Sequence, residues 1–299
     1  MEILLTGATG QLGSDLKPLL IKEGCGVQAF SSSSLDITDR EKVFNAIADN
    51  KPEVIINCAA YTKVDLAEKE RERAFAVNRD GAKNLAEAAQ KTGSALIHIS
   101  TDFVFDGKKS TPYMETDKTN PLSVYGESKL EGENEIVKIL KRRIIIRASW
   151  LYGVEGNNFV KTILKLAGER ESLKIVFDQA GTPTWTYDLA GAVVKIVNDL
   201  KAGKKEYGIY NYSNEGVASW YDFAEAIVDE AKGAGIKLNC GSIEPILTSE
   251  YPTPAKRPAY SVLDKRKIKA AFDIAIPHWR RSLKEMIKEL CRKNGGRGA

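Results

Sequence analysis

The 299-residue sequence has few of the residues that build disulfide frameworks or transition-metal sites. Its four cysteines are scattered along the chain without a C-x-x-C pair, and it has only two histidines, His98 and His278. Thiols without paired spacing indicate free cysteines in a reducing compartment, and two histidines leave little material for a transition-metal site. We therefore assign no metal-ligating residue and expect His98, within "ALIHIS", to be a buried or half-buried strand residue.

Long apolar runs and an excess of one charge are also missing. No segment approaches the roughly 18 apolar residues of a membrane-spanning helix, and the opening "MEILLTGATG" shows neither a cationic leader nor a cleavage site. The 44 basic and 40 acidic residues are interspersed and give a net charge of +4, which is too mild for a nucleic-acid-binding protein. We expect a cytoplasmic protein that binds neither membrane nor nucleic acid.

The first half of the chain alternates short apolar runs with longer stretches that have apolar residues at helical spacing. The runs have strand length and are "EILLT" (2–6), "VQAF" (27–30), "EVIINCAA" (53–60), "ALIHIS" (95–100) and "RIIIRAS" (143–149). Strands that are apolar throughout are buried on both faces of a sheet. The pattern predicts an α/β fold, a Rossmann-like doubly wound parallel sheet that binds ligands at the carboxyl ends of its strands.

Beyond Trp150 the pattern loosens. The strand-like runs "LKIVF" and "GIYNYS" follow, and a stretch at 244–264 contains four prolines that indicate a loop. We expect residues 1–150 to form a Rossmann-like domain and residues 151–291 to form a smaller lobe, interleaved with elements that return to the main sheet. The basic, Gly-rich residues 292–299 are expected to form a disordered tail.

A glycine-rich segment, "LLTGATGQLGSDL", joins the first predicted strand to the first predicted helix. Gly7, Gly10 and Gly13 make G-x-x-G-x-x-G, with Gln11 and Leu12 in the same turn. Such glycines allow a tight turn and a close backbone approach, while the helix N-terminus offers free N–H groups to a phosphate. Between a strand and a helix, this spacing predicts a nucleotide-binding loop rather than a purely structural turn.

The end of the second predicted strand bears on the choice of dinucleotide. An acid is expected there in an NAD-binding protein, to hold the ribose 2′-hydroxyl. The sequence reads "AFSSSSLDI", with no acid before Asp36 and no arginine. A 2′-phosphate would be tolerated, so the expected cofactor is NADPH, with NADH admitted. Asp36 and Ile37 are better placed for the adenine end, although "LDITD" also fits a helix cap.

Tyr125 and Lys129, within "NPLSVYGESKLEGE" (120–133), are four residues apart and would share one helix face. Alone, Y-x-x-x-K is common and would describe a solvated helix surface. Upstream, "HISTDFVFDG" brings Thr101 and Asp102 to the end of the fourth predicted strand, where this fold places ligands. Because a cation one turn away would stabilise tyrosinate, we predict that the pair is catalytic.

The three-residue first gap of the glycine loop and the Tyr–Lys pair resemble the short-chain dehydrogenase/reductase superfamily. Further segments narrow the family and are "NCAAYTKVDLAEKE" (57–70), "STDFVFDG" (100–107), "RASWLYG" (147–153), "GNNFVKTILKLA" (156–167), "DQAGTPTWTYDLA" (178–190) and "YPTPAKRPAYSVLD" (251–264). With the segment at 120–133, they resemble the dTDP-4-dehydrorhamnose reductases over nearly the whole chain. That family reduces the 4-keto group of dTDP-4-dehydro-L-rhamnose with NAD(P)H.

The resemblance implies roles for individual residues. Tyr125 would donate the proton, Lys129 would be its partner and contact the cofactor ribose, and Thr101 would position the substrate oxygen. The other cofactor-contacting positions would be Gly7, Gly10, Gln11, Leu12, Gly13, Asp36, Ile37, Ala59, Ala60, Tyr61 and Thr62.

Three further residues are implied on the substrate side. Asp102 and Trp150 fall on substrate-contacting positions, where Trp150 would form an aromatic wall beside the sugar; its alternative is a core tryptophan. Arg257 is the candidate for holding the diphosphate through charge-assisted hydrogen bonds, and its alternative is a loop cap. A homodimer stays open.

Other functions remain open for such a sequence. A sister enzyme could act on another nucleotide sugar as a reductase or epimerase, whereas dehydratases of this superfamily carry a glutamate where this chain has Phe103. The regulatory subunit of methionine adenosyltransferase resembles the same family and binds nucleotide without reducing a sugar. Retention of Thr101, Tyr125 and Lys129 favours an enzyme.

Overall fold

The computed structural model of the protein describes residues 1–295. Its strands are β1 (Glu2–Thr6), β2 (Gly26–Phe30), β3 (Val54–Asn57), β4 (Ala95–Thr101), β5 (Arg143–Ala148), β6 (Leu151–Tyr152), β7 (Ser172–Val176), β8 (Ala180–Gly181), β9 (Thr184–Trp185), β10 (Gly208–Tyr212), β11 (Ala218–Ser219) and β12 (Ser242–Ile246). Its α-helices are α1 (Gln11–Lys22), α2 (Arg40–Asn50), α3 (Val64–Ala67), α4 (Arg71–Phe75), α5 (Gly81–Thr92), α6 (Val124–Ile139), α7 (Phe159–Glu169), α8 (Thr186–Lys201), α9 (Trp220–Gly233), α10 (Arg266–Phe272) and α11 (Trp279–Gly295). A π-helical segment covers Ala76–Asp80, and 3-10 turns cover Asp102–Val104 and Thr248–Glu250.

Six strands form one parallel sheet in the order β10-β5-β4-β3-β1-β2. The predicted α/β fold with a Rossmann-like parallel sheet is confirmed. The interior strands of the sheet are mostly apolar, as expected for strands covered on both faces: all four residues of β3 are buried, and three of them are Val or Ile. Complete burial of one such Val, Leu or Ile side chain contributes about 1.5–3 kcal/mol to folding.

Helices cover the two faces of the sheet and build two separate cores. Leu16 of α1 and Val193 of α8 belong to the core on one face. Val43 of α2, Leu85 of α5 and Ile136 of α6 belong to the core on the other face. Because α6 packs on this second face, its polar side can reach the carboxyl ends of the strands.

The second half of the chain both completes this sheet and forms a smaller lobe. Strand β10 returns to the sheet edge, where Tyr212 pairs with Ala148 of β5. In the lobe, β7 and β12 pair in parallel, and their apolar residues pack with α7, α9 and α11 around Phe223.

Two details differ from the expected organisation. The proline-rich stretch expected to be a loop begins within β12, because Glu244, Pro245 and Ile246 pair with β7; a two-stranded sheet consists of edges, where proline is tolerated. Helix α11 runs to Gly295, so residues 292–295 of the expected tail are helical, while residues 296–299 lie outside the described part of the chain. Within residues 1–295, no helix has the length and apolar composition needed to cross a membrane.

Candidate active site

The predicted site segments follow five neighbouring strands at one edge of the sheet. In spatial order, Trp150 follows β5, Thr101 ends β4, Ala59 follows β3, Gly7 follows β1 and Asp36 follows β2. The carboxyl ends of parallel strands lie on the same edge, which is where open α/β sheets bind ligands. The fold therefore lines up the predicted cofactor residues next to the predicted catalytic residues.

The glycine loop approaches the backbone after β3 so closely that a side chain would not fit at Gly7. Gly7 has a φ of +67°, and a Cβ there would lie 2.6 Å from the backbone nitrogen of Ala59. Gly10 is the residue that caps α1, and it offers no side-chain hydrogen bond to the helix. The N–H groups of the first turn, which includes Gln11 and Gly13, are therefore free for a phosphate. Leu12 is buried in the core, which leaves only its backbone for a ligand. This cradle fits the pyrophosphate of a dinucleotide.

The turn after β2 is held by its own polar side chains. The Asp36 carboxylate accepts hydrogen bonds from the Thr38 backbone N–H at 2.9 Å and the Thr38 hydroxyl at 2.8 Å, and the Asp39 side chain caps α2. Ile37 is buried. The helix-cap alternative for "LDITD" thus describes Asp39, while Asp36 remains on the sheet edge beside the glycine loop.

The segment after β3 places Ala59 and Ala60 half-buried and Thr62 exposed. Tyr61 is buried, and its backbone N–H donates to the Asn78 side chain at 2.8 Å. The Tyr61 hydroxyl donates to Glu70 at 3.0 Å. The small side chains of Ala59 and Ala60 leave room beside the glycine loop, whereas Tyr61 fixes the segment to the helices behind it.

Helix α6 carries both members of the Tyr–Lys pair. Its N-terminus is capped by Ser123, whose side chain accepts from the Gly126 N–H at 3.2 Å. A Cβ on Gly126 would lie 2.3 Å from the Phe103 carbonyl oxygen, so glycine allows α6 to pack against the end of β4. The Tyr125 ring meets Phe103 edge to face, with ring centroids 5.5 Å apart. This packing fixes the ring beside Thr101 and Asp102.

Tyr125 is held in its protonated form. Burial raises the pKa of its hydroxyl to about 12; the neighbouring Thr101 hydroxyl lowers that pKa in part, and the Asp102 charge raises it. We expected Lys129 to stabilise tyrosinate, but burial is the dominant influence on the Tyr125 pKa in this structure. A protonated phenol is suited to donate a proton to a developing alkoxide.

Thr101 and Asp102 are both buried where β4 ends. The Thr101 hydroxyl donates to Asp102 Oδ1 at 3.0 Å and accepts from the Phe103 backbone N–H at 3.2 Å. Among the described residues, none makes a hydrogen bond to Asp102 Oδ2, although the nearby Ser261 hydroxyl partly lowers the carboxyl pKa. Burial outweighs that effect and raises the pKa of Asp102 to about 6.

The Lys129 side chain is directed inward rather than into solvent. Its Nζ donates to the Ile99 carbonyl oxygen at 2.7 Å and lies 3.3 Å from His98 Nε2. Burial lowers the pKa of Lys129 to about 8, while Glu133 and Cys58 act in the opposite direction. The Glu133 charge is shared with Arg147 in a buried ion pair of 2.7 Å, which limits how far Glu133 stabilises the ammonium.

Trp150 stands at the boundary between the sheet edge and the lobe. Its backbone has a φ of +47°, which is uncommon for a residue other than glycine. Its indole stacks on Trp220, with centroids 3.5 Å apart and planes 5° from parallel. The ring is half-buried, so Trp150 combines the packing of a core tryptophan with a surface open to a ligand.

Arg257 lines a cleft of about 440 Å³ in the lobe, together with Gln179, Tyr251 and Lys256. The guanidinium is paired with Asp65 at 2.8 Å and also donates to the Thr253 hydroxyl at 2.6 Å. The structure thus brings Arg257 to the side of the lobe that faces α3, the helix after β3. A second cavity of about 300 Å³, lined by Tyr187 among others, contains none of the predicted site residues.

His98 lies buried in β4, as predicted, but the contributions of His98, Asn57 and Trp220 to the site were not predicted from the sequence. Asn57 follows the apolar residues of β3, and His98 interrupts the apolar residues of β4; a buried polar residue beside apolar strand residues is the local signal that indicates such a role. Trp220 is remote in sequence from Trp150, and no local pattern connects the two. Within residues 1–295, no group of three metal-ligating side chains is assembled.

Comparisons with known proteins give one consistent family. The chain matches the family described as "RmlD substrate binding domain" over residues 1–292. It is 49% identical over 287 residues to the dTDP-4-dehydrorhamnose reductase of Aggregatibacter actinomycetemcomitans, covering 95% of this chain and 98% of that protein.

Two solved structures extend the similarity to three dimensions. A dTDP-4-dehydrorhamnose reductase from Clostridium acetobutylicum is 41% identical with a TM-score of 0.91, covering 97% of this chain and 100% of the other. The dTDP-4-dehydrorhamnose reductase of Bacillus anthracis, in complex with NADP, is 39% identical with a TM-score of 0.88, covering 96% and 99%.

Proposed function

The chain belongs to the dTDP-4-dehydrorhamnose reductase family, and from that premise we propose that it reduces the 4-keto group of dTDP-4-dehydro-L-rhamnose with NADPH to give dTDP-L-rhamnose. The observation that carries this function is the order of the site along the sheet: the glycine loop, Thr101 and Trp150 follow neighbouring strands, and α6 brings Tyr125 and Lys129 to the same edge. NADH remains an acceptable second cofactor.

We assign the cofactor to the cradle formed by the glycine loop and the segments after β2 and β3. The free N–H groups at the start of α1 would hold the pyrophosphate, and Asp36 and Ile37 would contact the adenosine end. Ala59 to Thr62 would line the path towards the catalytic pair. When bound, the nicotinamide supplies the hydride, and the protein supplies position and a proton.

Tyr125 is the proposed proton donor. Its high pKa keeps the phenol protonated at neutral pH, so it can donate to the oxygen that becomes negatively charged as the carbonyl carbon is reduced. In this structure the Thr101 hydroxyl donates its one proton to Asp102 Oδ1; when substrate binds, the hydroxyl would turn that proton to the substrate oxygen while it still accepts from the Phe103 N–H. Phe103 has no proton to transfer, so this site lacks the acid–base group of a dehydratase at that position.

Lys129 is the proposed partner of Tyr125. Tyrosinate forms when the proton leaves, and an ammonium one helical turn away lowers the free energy of that anion. Because burial reduces the cost of losing the Lys129 proton, the lysine can also contact cofactor hydroxyls as either donor or acceptor.

On the substrate side, the proposal assigns Trp150 to the sugar and Arg257 to the diphosphate. Trp150 offers an indole supported from behind by Trp220, and Arg257 lines a cleft large enough for part of a nucleotide. Binding energy from the thymidine diphosphate, remote from the carbonyl, would help to align the reacting atoms.

We propose different roles for the two parts of the chain. Residues 1–150 would hold the cofactor and the catalytic residues, and residues 151–291 would build the substrate lobe while returning β10 to the sheet.

We also propose that the protein works in the cytoplasm, since its four cysteines are free thiols. A homodimer stays a prediction, which sedimentation equilibrium tests.

The function is tested by mixing purified protein with NADPH and enzymatically prepared dTDP-4-dehydro-L-rhamnose and following the nicotinamide absorbance. Oxidation of one NADPH per sugar is expected, with a slower reaction when NADH replaces NADPH. Cofactor binding without oxidation, together with firm binding of a partner protein, would instead favour a regulatory nucleotide-binding subunit.

A further inference from the structure

A row of buried polar side chains crosses three strands beneath the catalytic pair. Thr6 of β1, Asn57 of β3 and His98 of β4 are successive register partners, and all three are 1% exposed. The Thr6 hydroxyl donates to Asn57 Oδ1 at 2.7 Å, Asn57 Nδ2 lies 3.0 Å from His98 Nδ1, and His98 Nε2 lies 3.3 Å from Lys129 Nζ. The row therefore ends on the lysine of the active site.

The hydrogen bonds determine which atom of each side chain in this row donates and which accepts. The backbone N–H of Ala59 donates to Asn57 Oδ1 at 3.1 Å; an N–H cannot accept, so this atom must be the amide oxygen. Asn57 therefore turns its NH₂ group towards His98, and His98 Nδ1 accepts. Burial and the Lys129 charge lower the pKa of His98 well below its usual value, which keeps the ring neutral. A neutral imidazole that accepts at Nδ1 carries its proton on Nε2.

The Nε2–H of His98 consequently faces Lys129 Nζ. An ammonium has three donors and no acceptor, so it repels this N–H, whereas the neutral amine has a lone pair that can accept it. Nζ also donates to the Ile99 carbonyl at 2.7 Å, which either form of the lysine allows. His98 thus favours the neutral amine over the ammonium.

Other groups around Lys129 partly oppose this preference. Glu133, one turn further along α6, and Cys58, after β3, both raise the Lys129 pKa. Arg147 neutralises much of the Glu133 charge, and Tyr125 on the same helix is held as a neutral phenol. Asp102, at the end of β4, is the remaining titratable group of the site. His98 is the one neighbour of Lys129 among these that presents an N–H to Nζ.

We propose that His98 is a positioning residue for the reduction: it presents Nε2–H to Lys129 and so sets the pH above which the ammonium beside Tyr125 is lost. The proposal rests on the reductase function assigned above. It gives a role to the buried His98, which lies between the apolar residues Ile97 and Ile99 of β4. It predicts an alkaline limb in kcat that depends on the imidazole N–H.

The direction of the N–H is tested without any turnover. The chain has two histidines, and His278 is exposed, so H278Q labelled with ¹⁵N-histidine contains a single imidazole. Its ¹⁵N spectrum, recorded from pH 6 to 9, should show the Nε2–H tautomer throughout. An Nδ1–H tautomer, or a ring that titrates to imidazolium within this range, would overturn the proposal.

The effect on Lys129 is tested by pH–rate profiles of H98M and H98Q. Methionine fills the space without an N–H, so Lys129 should keep its proton to a higher pH. The pH at which kcat falls on the alkaline side of the profile should therefore rise by roughly one unit. Glutamine offers an acceptor towards Asn57 and an N–H towards Lys129, so it should restore the wild-type limb. An unmoved or lowered limb in H98M, or a loss of rate that is uniform across pH in both variants, would mean that His98 only packs.

The two tests separate the proposal from the function on which it rests. If the wild type fails to oxidise NADPH with the dTDP sugar, the assigned reaction is wrong, and the tautomer spectrum still reports the direction of the row. If the wild type turns over but its tautomer is Nδ1–H, the reductase function stands and the role of His98 fails.

Discussion

The guanidinium of Arg257 forms two parallel hydrogen bonds with the Asp65 carboxylate, 3.1 Å from Nη1 to Oδ1 and 2.8 Å from Nη2 to Oδ2, across 192 residues of sequence. The Arg257 bond lowers the pKa of Asp65, so this carboxylate is ionised at neutral pH. Bidentate pairing holds an arginine in one orientation. Asp65 therefore keeps Arg257 extended at the wall of the cleft that we assign to the nucleotide.

Replacing Arg257 by alanine should raise the KM for the dTDP sugar by about 10- to 100-fold, because a hydrogen bond to a charged group contributes roughly 1.5–3 kcal/mol. The effect on kcat should be smaller, since the diphosphate is remote from the reacting carbonyl. Initial rates at saturating NADPH with varied sugar nucleotide measure both constants. R266A is the matched control, because Arg266 also contacts both carboxylate oxygens of an aspartate, Asp264, but is exposed and outside the cleft. Equal KM values in R257A and wild type would remove Arg257 from the substrate site.

Replacing Tyr125 by phenylalanine should reduce kcat by about 10²–10⁴-fold, the usual contribution of general acid catalysis. The ring and its edge-to-face contact with Phe103 are kept, so folding and NADPH affinity should be unchanged. Stopped-flow absorbance measures the rate, and fluorescence titration measures NADPH binding. Y187F, at an exposed tyrosine away from the sheet edge, should behave as wild type. A near-wild-type rate in Y125F at neutral pH would show that another group protonates the alkoxide.

Replacing Asp102 by asparagine should stabilise the folded protein at alkaline pH while impairing turnover. Burial raises the pKa of this carboxyl from 3.8 to about 6, so the folded protein binds the proton more tightly than the unfolded chain does. The contribution of Asp102 to stability is fully present below pH 3.8 and is lost as the pH rises through 6. D102N removes this loss, which is on the order of 3 kcal/mol for a rise from 3.8 to about 6, so its free energy of unfolding should exceed that of wild type at pH 8 but not at pH 4.

Urea unfolding at the two pH values measures this difference, and D106N is its control. Asp106 accepts from the Lys108 N–H, the Asn120 amide and the Tyr113 hydroxyl, and its pKa is lowered. A lowered pKa contributes stability above the ordinary aspartate pKa, so D106N should lose stability at pH 8. If D102N were destabilised equally at pH 4 and pH 8, the Asp102 carboxyl would not be the cause.

Replacing Ser31 by aspartate should shift cofactor preference towards NADH. Ser31 directly follows β2, and its hydroxyl accepts from the Ser34 N–H at 3.3 Å, a bond that a carboxylate can keep. Negative charge there repels a 2′-phosphate and can accept from a 2′-hydroxyl. The ratio of kcat/KM for NADPH over NADH, modest in wild type, should fall by about tenfold, which corresponds to roughly 1.4 kcal/mol. S110D adds the same charge at an exposed loop and should leave the ratio unchanged. If the wild type used only NADH, the proposed NADPH preference would be wrong.

The features that could be predicted from the sequence are those determined by residues close together in the chain. Apolar strands such as β3, the glycine turn around Gly7, and a helix that carries Tyr125 and Lys129 all depend on neighbouring residues, and each lies where it was expected. The parallel sheet follows from strands buried on both faces. The family resemblance then connected these local features to one reaction.

The features that were missed depend on residues far apart in the chain. Asp65 meets Arg257, and Trp150 meets Trp220, only because the lobe closes over the sheet edge. The pKa of Tyr125 was expected to respond to Lys129, yet it responds mainly to burial, which is a property of the whole fold. Spacing along a helix identifies a neighbour, but it does not say how much water surrounds the pair.

The most direct test of the reaction is to follow the transferred hydride. NADPH deuterated at nicotinamide C4 on the transferred face is incubated with the protein and dTDP-4-dehydro-L-rhamnose, and the product is examined by NMR. Reduction with Tyr125 as the acid predicts deuterium at C4 of the sugar, in a saturated dTDP-6-deoxyhexose, with one oxidised cofactor released per turnover. Deuterium at any other carbon, or an unsaturated sugar as product, would contradict the reductase assignment.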